Sequence, residues 1–104
     1  MMVKSFEDEF CDQLFEAVLS LESKEECENF FEDIATVGEI KELSHRLEVA
    51  KMLKLDHTYN EIVDKAGVST TTISGVKRAL EYGAGGYNII LKRLGFTQEN
   101  KSGE

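Results

Sequence analysis

Apolar residues recur every three or four positions along most of this chain, the period of a helix packed on one side. Phe6, Phe10, Leu14, Val18 and Leu21 form the first such stripe, widened by Phe15 and Leu19. It predicts a helix over about 6–21. Cys27, Phe30, Phe31 and Ile34 share one face of a second helix over about 24–35. Ile40, Leu43, Leu47, Ala50 and Leu53 mark a third over about 37–55. Two shorter helices, about 59–66 and 70–81, follow, and Tyr87, Ile90, Leu91 and Leu94 define a last one over about 87–94. No alternating β-branched run interrupts the series, and the absence of proline leaves every break to glycine and polar caps. The fold class is all-α, with six helices. Residues 1–96 read as a single helical domain, and Thr97–Glu104 as a flexible tail.

Helix starts are marked by hydroxyl residues with an acid three positions on. Ser5–Asp8, Ser23–Glu26, Thr36–Glu39 and Thr58–Glu61 all fit the pattern. In each, the hydroxyl accepts from a free N–H of the first turn, while the acid reaches back and favours the positive end of the helix dipole.

The fourth and fifth helices, with Gly67, Val68 and Ser69 between them, have helix-turn-helix spacing over about 58–81. Ile62, Ala66, Val68, Ile73 and Val76 fall where two steeply crossed helices touch, and Val63 lies at their close approach. Gly67 supplies the left-handed turn residue that a side chain with Cβ resists. Ser69 is placed to cap the second helix. Thr70, Thr71, Thr72, Ser74, Gly75, Lys77 and Arg78 are left for the other faces. Hydroxyls can meet phosphates and base edges, and the cations supply counter-charge, so this helix has the chemistry of a DNA-reading element. Such spacing also occurs in purely structural helix pairs. A merely solvated face would be better served by Glu, Lys or Gln than by these poor helix formers.

Charge sharpens the division. Residues 1–44 carry 3 Lys/Arg against 13 Asp/Glu, whereas residues 45–104 carry 9 against 7, so the net charge of −8 belongs to the first half. From Gly67 to Arg93 there are four cations and one acid, Glu81. Five of the six phenylalanines precede residue 32. They need more cover than three short C-terminal helices provide, and a homodimer interface would supply it. Cys11 and Cys27 read as small buried residues, and neither they nor His45 and His57 have metal-ligand spacing, so no metal site is expected. No apolar run is long enough to span a membrane. The acidic start MMVKSFEDEF has no signal core, giving a cytoplasmic expectation. No catalytic pair stands out. Glu25–Glu26 and Asp8–Glu9 point to different helix faces, and Gly83–Gly86 lacks the Lys-Ser/Thr ending of a phosphate loop. The chain is not expected to be an enzyme and needs no cofactor.

The segment RLEVAKMLKLDHTYNEIVDKAGVSTTTISGVKRALEYG resembles the Trp repressor family, and within it the Gram-positive YerC/YecD branch, which shares RLEVA and the TxTISxVKR motif. The resemblance covers about residues 10–94. It implies a six-helix, intertwined homodimer whose two helix-turn-helix heads face successive major grooves of double-stranded DNA. By position, Ser69, Thr70, Thr71, Thr72 and Ser74 would face DNA, with Lys77 and Arg78 near its phosphates. Arg46 stands where the tryptophan-binding members place the arginine that meets the ligand carboxylate. It is read here either as that ligand contact or as a salt-bridging or DNA-backbone residue. Gly75 replaces the arginine that sandwiches the indole, and Val76 replaces the glycine that leaves room for it. The resemblance therefore implies a sequence-specific transcriptional regulator of the repressor type that does not bind L-tryptophan. The alternative is a helical protein-interaction module that keeps the fold without specific DNA binding, which the acidic first half favours.

Overall fold

The computed structural model describes residues 8–96, and among them lie six helices and no strand. They are α1 (Glu9–Leu19), α2 (Lys24–Ile34), α3 (Val37–Lys54), α4 (Tyr59–Ala66), α5 (Thr70–Tyr82) and α6 (Gly86–Arg93). The expected order and class hold, with boundaries shifted by a few residues at most in the last five helices. Two compact units divide at Val37/Gly38.

In the first unit, α1 begins later than the apolar stripe suggested. Asp8 is extended, with φ −147°, and its carboxylate accepts the Cys11 N–H at 2.8 Å, so Asp8 is the cap rather than the third residue of the helix. That N–H holds the Asp8 carboxyl below the usual carboxylate range. Ser5 and Phe6 lie outside the described residues, as does the segment read as a tail. Ser23 caps α2 as expected, accepting the Glu26 N–H at 3.1 Å. The Glu26 carboxylate reaches one residue further back than a capping box requires, to the Glu22 N–H at 2.9 Å. Neither α1 nor α2 buries a residue: Phe10 is 78% exposed and Leu19 85%. Cys11 and Cys27 are free thiols, half-buried instead of buried.

The second unit has a core of Val49, Ala50, Met52, Ile62, Ala66, Ile73, Val76 and Leu91, so α3, α4, α5 and α6 all contribute. Tyr59, Val63, Val68, Leu80 and Tyr87 pack around it, half-buried. The α3 stripe behaves differently from expectation. Ala50 is buried, Leu53 and Ile40 are half-buried, and Leu43 and Leu47 stay exposed, while Val49 and Met52 carry the packing. Length explains part of this. At 18 residues α3 spans about 27 Å, against about 12 Å for the 8 residues of α4, so only its C-terminal half is covered.

The loops follow from local chemistry. At the end of α3, Asp56 takes φ 67° and the His57 N–H reaches back to the Met52 carbonyl at 3.0 Å. At the end of α6, Gly95 and Phe96 repeat the arrangement, with the Phe96 N–H on the Leu91 carbonyl at 2.8 Å. Both closures satisfy carbonyls that the last helical turn leaves without donors.

Candidate nucleic-acid interface

The turn between α4 and α5 is built as its spacing requires. Thr58 and Glu61 form a complete capping box: the Glu61 N–H donates to Thr58 Oγ1 at 3.2 Å, and the Thr58 N–H donates to Glu61 Oε1 at 2.8 Å. His57 Nδ1 stands 3.4 Å from the same carboxylate oxygen. The Thr58 N–H, more than the imidazole, holds the Glu61 carboxyl below its ordinary range. Gly67 ends α4 with φ 67° and ψ 32°, the left-handed conformation that costs a residue with Cβ about 1–2 kcal/mol. Ser69 then caps α5, with the Thr72 N–H donating to its Oγ at 3.2 Å.

Packing fixes which side of α5 faces out. Ile73 and Val76 are buried, Val68 closes the turn half-buried, and Ile62 and Ala66 meet them from α4. Ser69, Thr70, Thr71, Ser74, Lys77 and Arg78 are all exposed. At a helical period of 3.6 residues, Thr70, Thr71, Ser74, Lys77 and Arg78 share one continuous arc. Neither Lys77 nor Arg78 is engaged in an ion pair with any described residue, so both cations are available to an anion. Glu81 lies on the same arc toward the helix end.

Thr72 departs from this set. It is half-buried, its hydroxyl lies 3.3 Å from Ser69 Oγ, and it lines a groove on the flank of α5. The Ser69 hydroxyl is likewise occupied as the cap. Spacing marked Ser69 as the cap but left Thr72 with the outward residues, because a residue count does not show that the cap also engages the hydroxyl three positions on.

The flanking groove, about 320 Å³, is lined by Arg46, Thr72, Gly75, Val76, Ala79 and Tyr87. Arg46 is turned toward its own helix, its guanidinium 2.8 Å from Glu42 Oε2. Gly75 opens onto free space, and a Cβ there would meet nothing within 4 Å. Val76 is only 5% exposed, so its branched side chain forms part of the groove floor while packing into the core. Sequence reasoning missed Tyr87 and Ala79 as lining residues: Tyr87 reads as a packing residue of the last helix, and Ala79 carries no chemistry that singles it out. A larger hollow of about 540 Å³, lined by Leu47, Ala79, Tyr87, Ile90 and the Ala84–Gly86 turn, carries no charged side chain. It offers cover for apolar surface, not chemistry.

Comparison with known proteins agrees with this geometry. A sequence model of the Trp repressor protein family matches residues 9–95. "Uncharacterized protein YerC" of Bacillus subtilis (strain 168) is 44% identical over 102 residues, covering 98% of both chains. A crystal structure of a "putative Trp repressor" from Staphylococcus aureus superposes with a TM-score of 0.85 at 47% identity, covering 92% of this chain and 96% of that one. A TrpR like protein from Eubacterium eligens ATCC 27750 gives 0.84 at 48% identity, covering 88% and 94%. A helix-turn-helix with outward hydroxyls and unpaired cations, carried on six helices that match these relatives over nearly their whole length, identifies the chain as a member of the Trp repressor family.

Proposed function

We propose that this protein is a sequence-specific, double-stranded-DNA-binding transcriptional regulator of the repressor type, acting as a homodimer. One observation carries the reading: the outward arc of α5 presents Thr70, Thr71 and Ser74 beside two unpaired cations, Lys77 and Arg78. The N-terminal part of such a helix enters the major groove, where threonine and serine reach base edges and phosphates. Ser69 and Thr72 act mainly by holding the helix start, and Arg46 acts as a salt-bridging or backbone-contacting residue. The homodimer rests on the apolar surface of α1 and α2, where Phe10, Phe15, Leu19 and Ile34 are exposed. Two heads related by a two-fold axis would then meet half-sites about one helical turn, 34–36 Å, apart. The family's members are regulators, and the chain is proposed to act as one and not as an enzyme.

The test is a titration of the full chain against genomic fragments across a salt series. Binding should weaken steeply as salt rises, with a small set of fragments retained above the rest. Uniform failure to retain DNA at low salt would favour the protein-interaction module, which draws support from the acidity of residues 1–44.

The proposal excludes L-tryptophan as effector. Gly75 provides no cation to stack on an indole, and the branched Val76 side chain stands where the tryptophan-binding members leave room for the ring. Isothermal titration should give no heat of binding in the micromolar range. A saturable micromolar isotherm would overturn this part of the proposal and leave DNA binding untouched.

A further inference from the structure

We propose that Asn88 is a positioning residue for the recognition helix. The inference deepens the DNA-binding reading and rests on it. After Tyr82 the chain leaves α5, and the Gly83 N–H donates to the Ala79 carbonyl at 2.9 Å. That turn is tight: a Cβ on Gly83 would run into the Ala79 carbonyl oxygen. The next carbonyl, of Leu80, belongs to the last helical turn, where the backbone ladder has no further N–H to offer. Asn88, eight residues on and in the first turn of α6, fills the vacancy, its Nδ2 donating to the Leu80 carbonyl at 3.1 Å.

The cost of this bond argues for its purpose. Asn88 is half-buried, and its Oδ1 is enclosed with no hydrogen-bond partner among the described residues. A leucine at this point would bury no orphaned Oδ1 but would leave the Leu80 carbonyl without its donor, one orphaned oxygen exchanged for another, so stability gives asparagine little advantage. What asparagine supplies is direction. Ile73 and Val76 anchor the first two-thirds of α5 through apolar contact, and Leu80 packs half-buried near its end, but the force behind such contacts is non-directional. A hydrogen bond between α6 and the last turn of α5 fixes roll and tilt, because it weakens steeply with misalignment. Thr70, Thr71 and Ser74 all depend on that roll to meet base edges. Contacts of charge with phosphate are less demanding of angle.

The full chain carrying Asn88→Leu, with Asn88→Ala as the second variant should the first not fold, tests the proposal. Affinity is measured for the best-retained fragment and for an unrelated duplex at one salt concentration, at a temperature where circular dichroism shows each variant folded. The expected result is a loss of about tenfold in the ratio of specific to non-specific affinity, with non-specific affinity unchanged. An unchanged ratio, or an equal fall in both affinities, overturns the proposal. Residual dipolar couplings of the backbone amides give a readout that needs no DNA. The α5 couplings should change relative to those of α3 in the variant, and identical couplings overturn the positioning role. Failure of the wild-type chain to bind any duplex would sink the DNA reading instead, and the couplings would still decide the role of Asn88.

Discussion

Replacing Ile73 by alanine should destabilise the protein by about 2–5 kcal/mol, the range for truncating a buried aliphatic side chain to a methyl group. Ile73 is fully buried, and it is the residue by which the start of α5 enters the core made by α3, α4 and α6. The void left behind would have nothing to fill it, because the neighbours Ile62 and Val49 are themselves fully buried. Urea unfolding followed by circular dichroism checks this: the midpoint should fall with little change in slope. Protein concentration must be matched, since the apparent stability of the proposed dimer would depend on it. Thr71→Ala on the exposed arc is the natural comparison, expected to stay within about 0.5 kcal/mol of wild type. A midpoint for Ile73→Ala equal to that of Thr71→Ala would mean that α5 is not anchored through this residue.

The difference between those two positions was legible in the sequence, and the reason is that the helix-turn-helix is locally determined. Thr58, Gly67, Ser69, Ile73 and Val76 lie within nineteen residues: the two caps act on N–H groups three positions on, and Ile73 and Val76 repeat at helical spacing toward Ile62 and Ala66 of the same motif. The start of α1 was read too early, with Ser5 as its cap, for an equally local reason. Ser5 and Asp8 both satisfy the preference for a capping side chain, and the preference does not rank them; the structure places Asp8 extended and bonded to Cys11. Beyond the local range the pattern lost force. The α3 stripe announced a helix, but whether Leu47 or Val49 meets the core depends on where a much shorter helix happens to cover it. Thr72 looked equivalent to Thr71 until the Ser69 cap was seen to occupy it. Asn88 gave no signal, because its bond to Leu80 exists only after the turn at Gly83 has folded α6 back on α5.

The double substitution Lys77→Ala, Arg78→Ala should have the largest effect on function and little on stability, since both side chains are exposed and unpaired. Each cation that neutralises a phosphate releases a counterion, so the slope of log affinity against log salt should flatten by about 2 for each recognition helix engaged. Affinity at low salt should fall for specific and non-specific duplexes alike, unlike the selective loss expected at Asn88. Net charge is a competing explanation, because the chain already carries −8 and the double variant makes it more acidic. Lys24→Ala with Lys41→Ala changes the net charge equally on two exposed residues outside α5. If the local reading is right, this second pair leaves the slope nearly unchanged while the first flattens it. Equal slopes in the two variants would assign the salt dependence to the overall field of the protein and remove Lys77 and Arg78 from the interface.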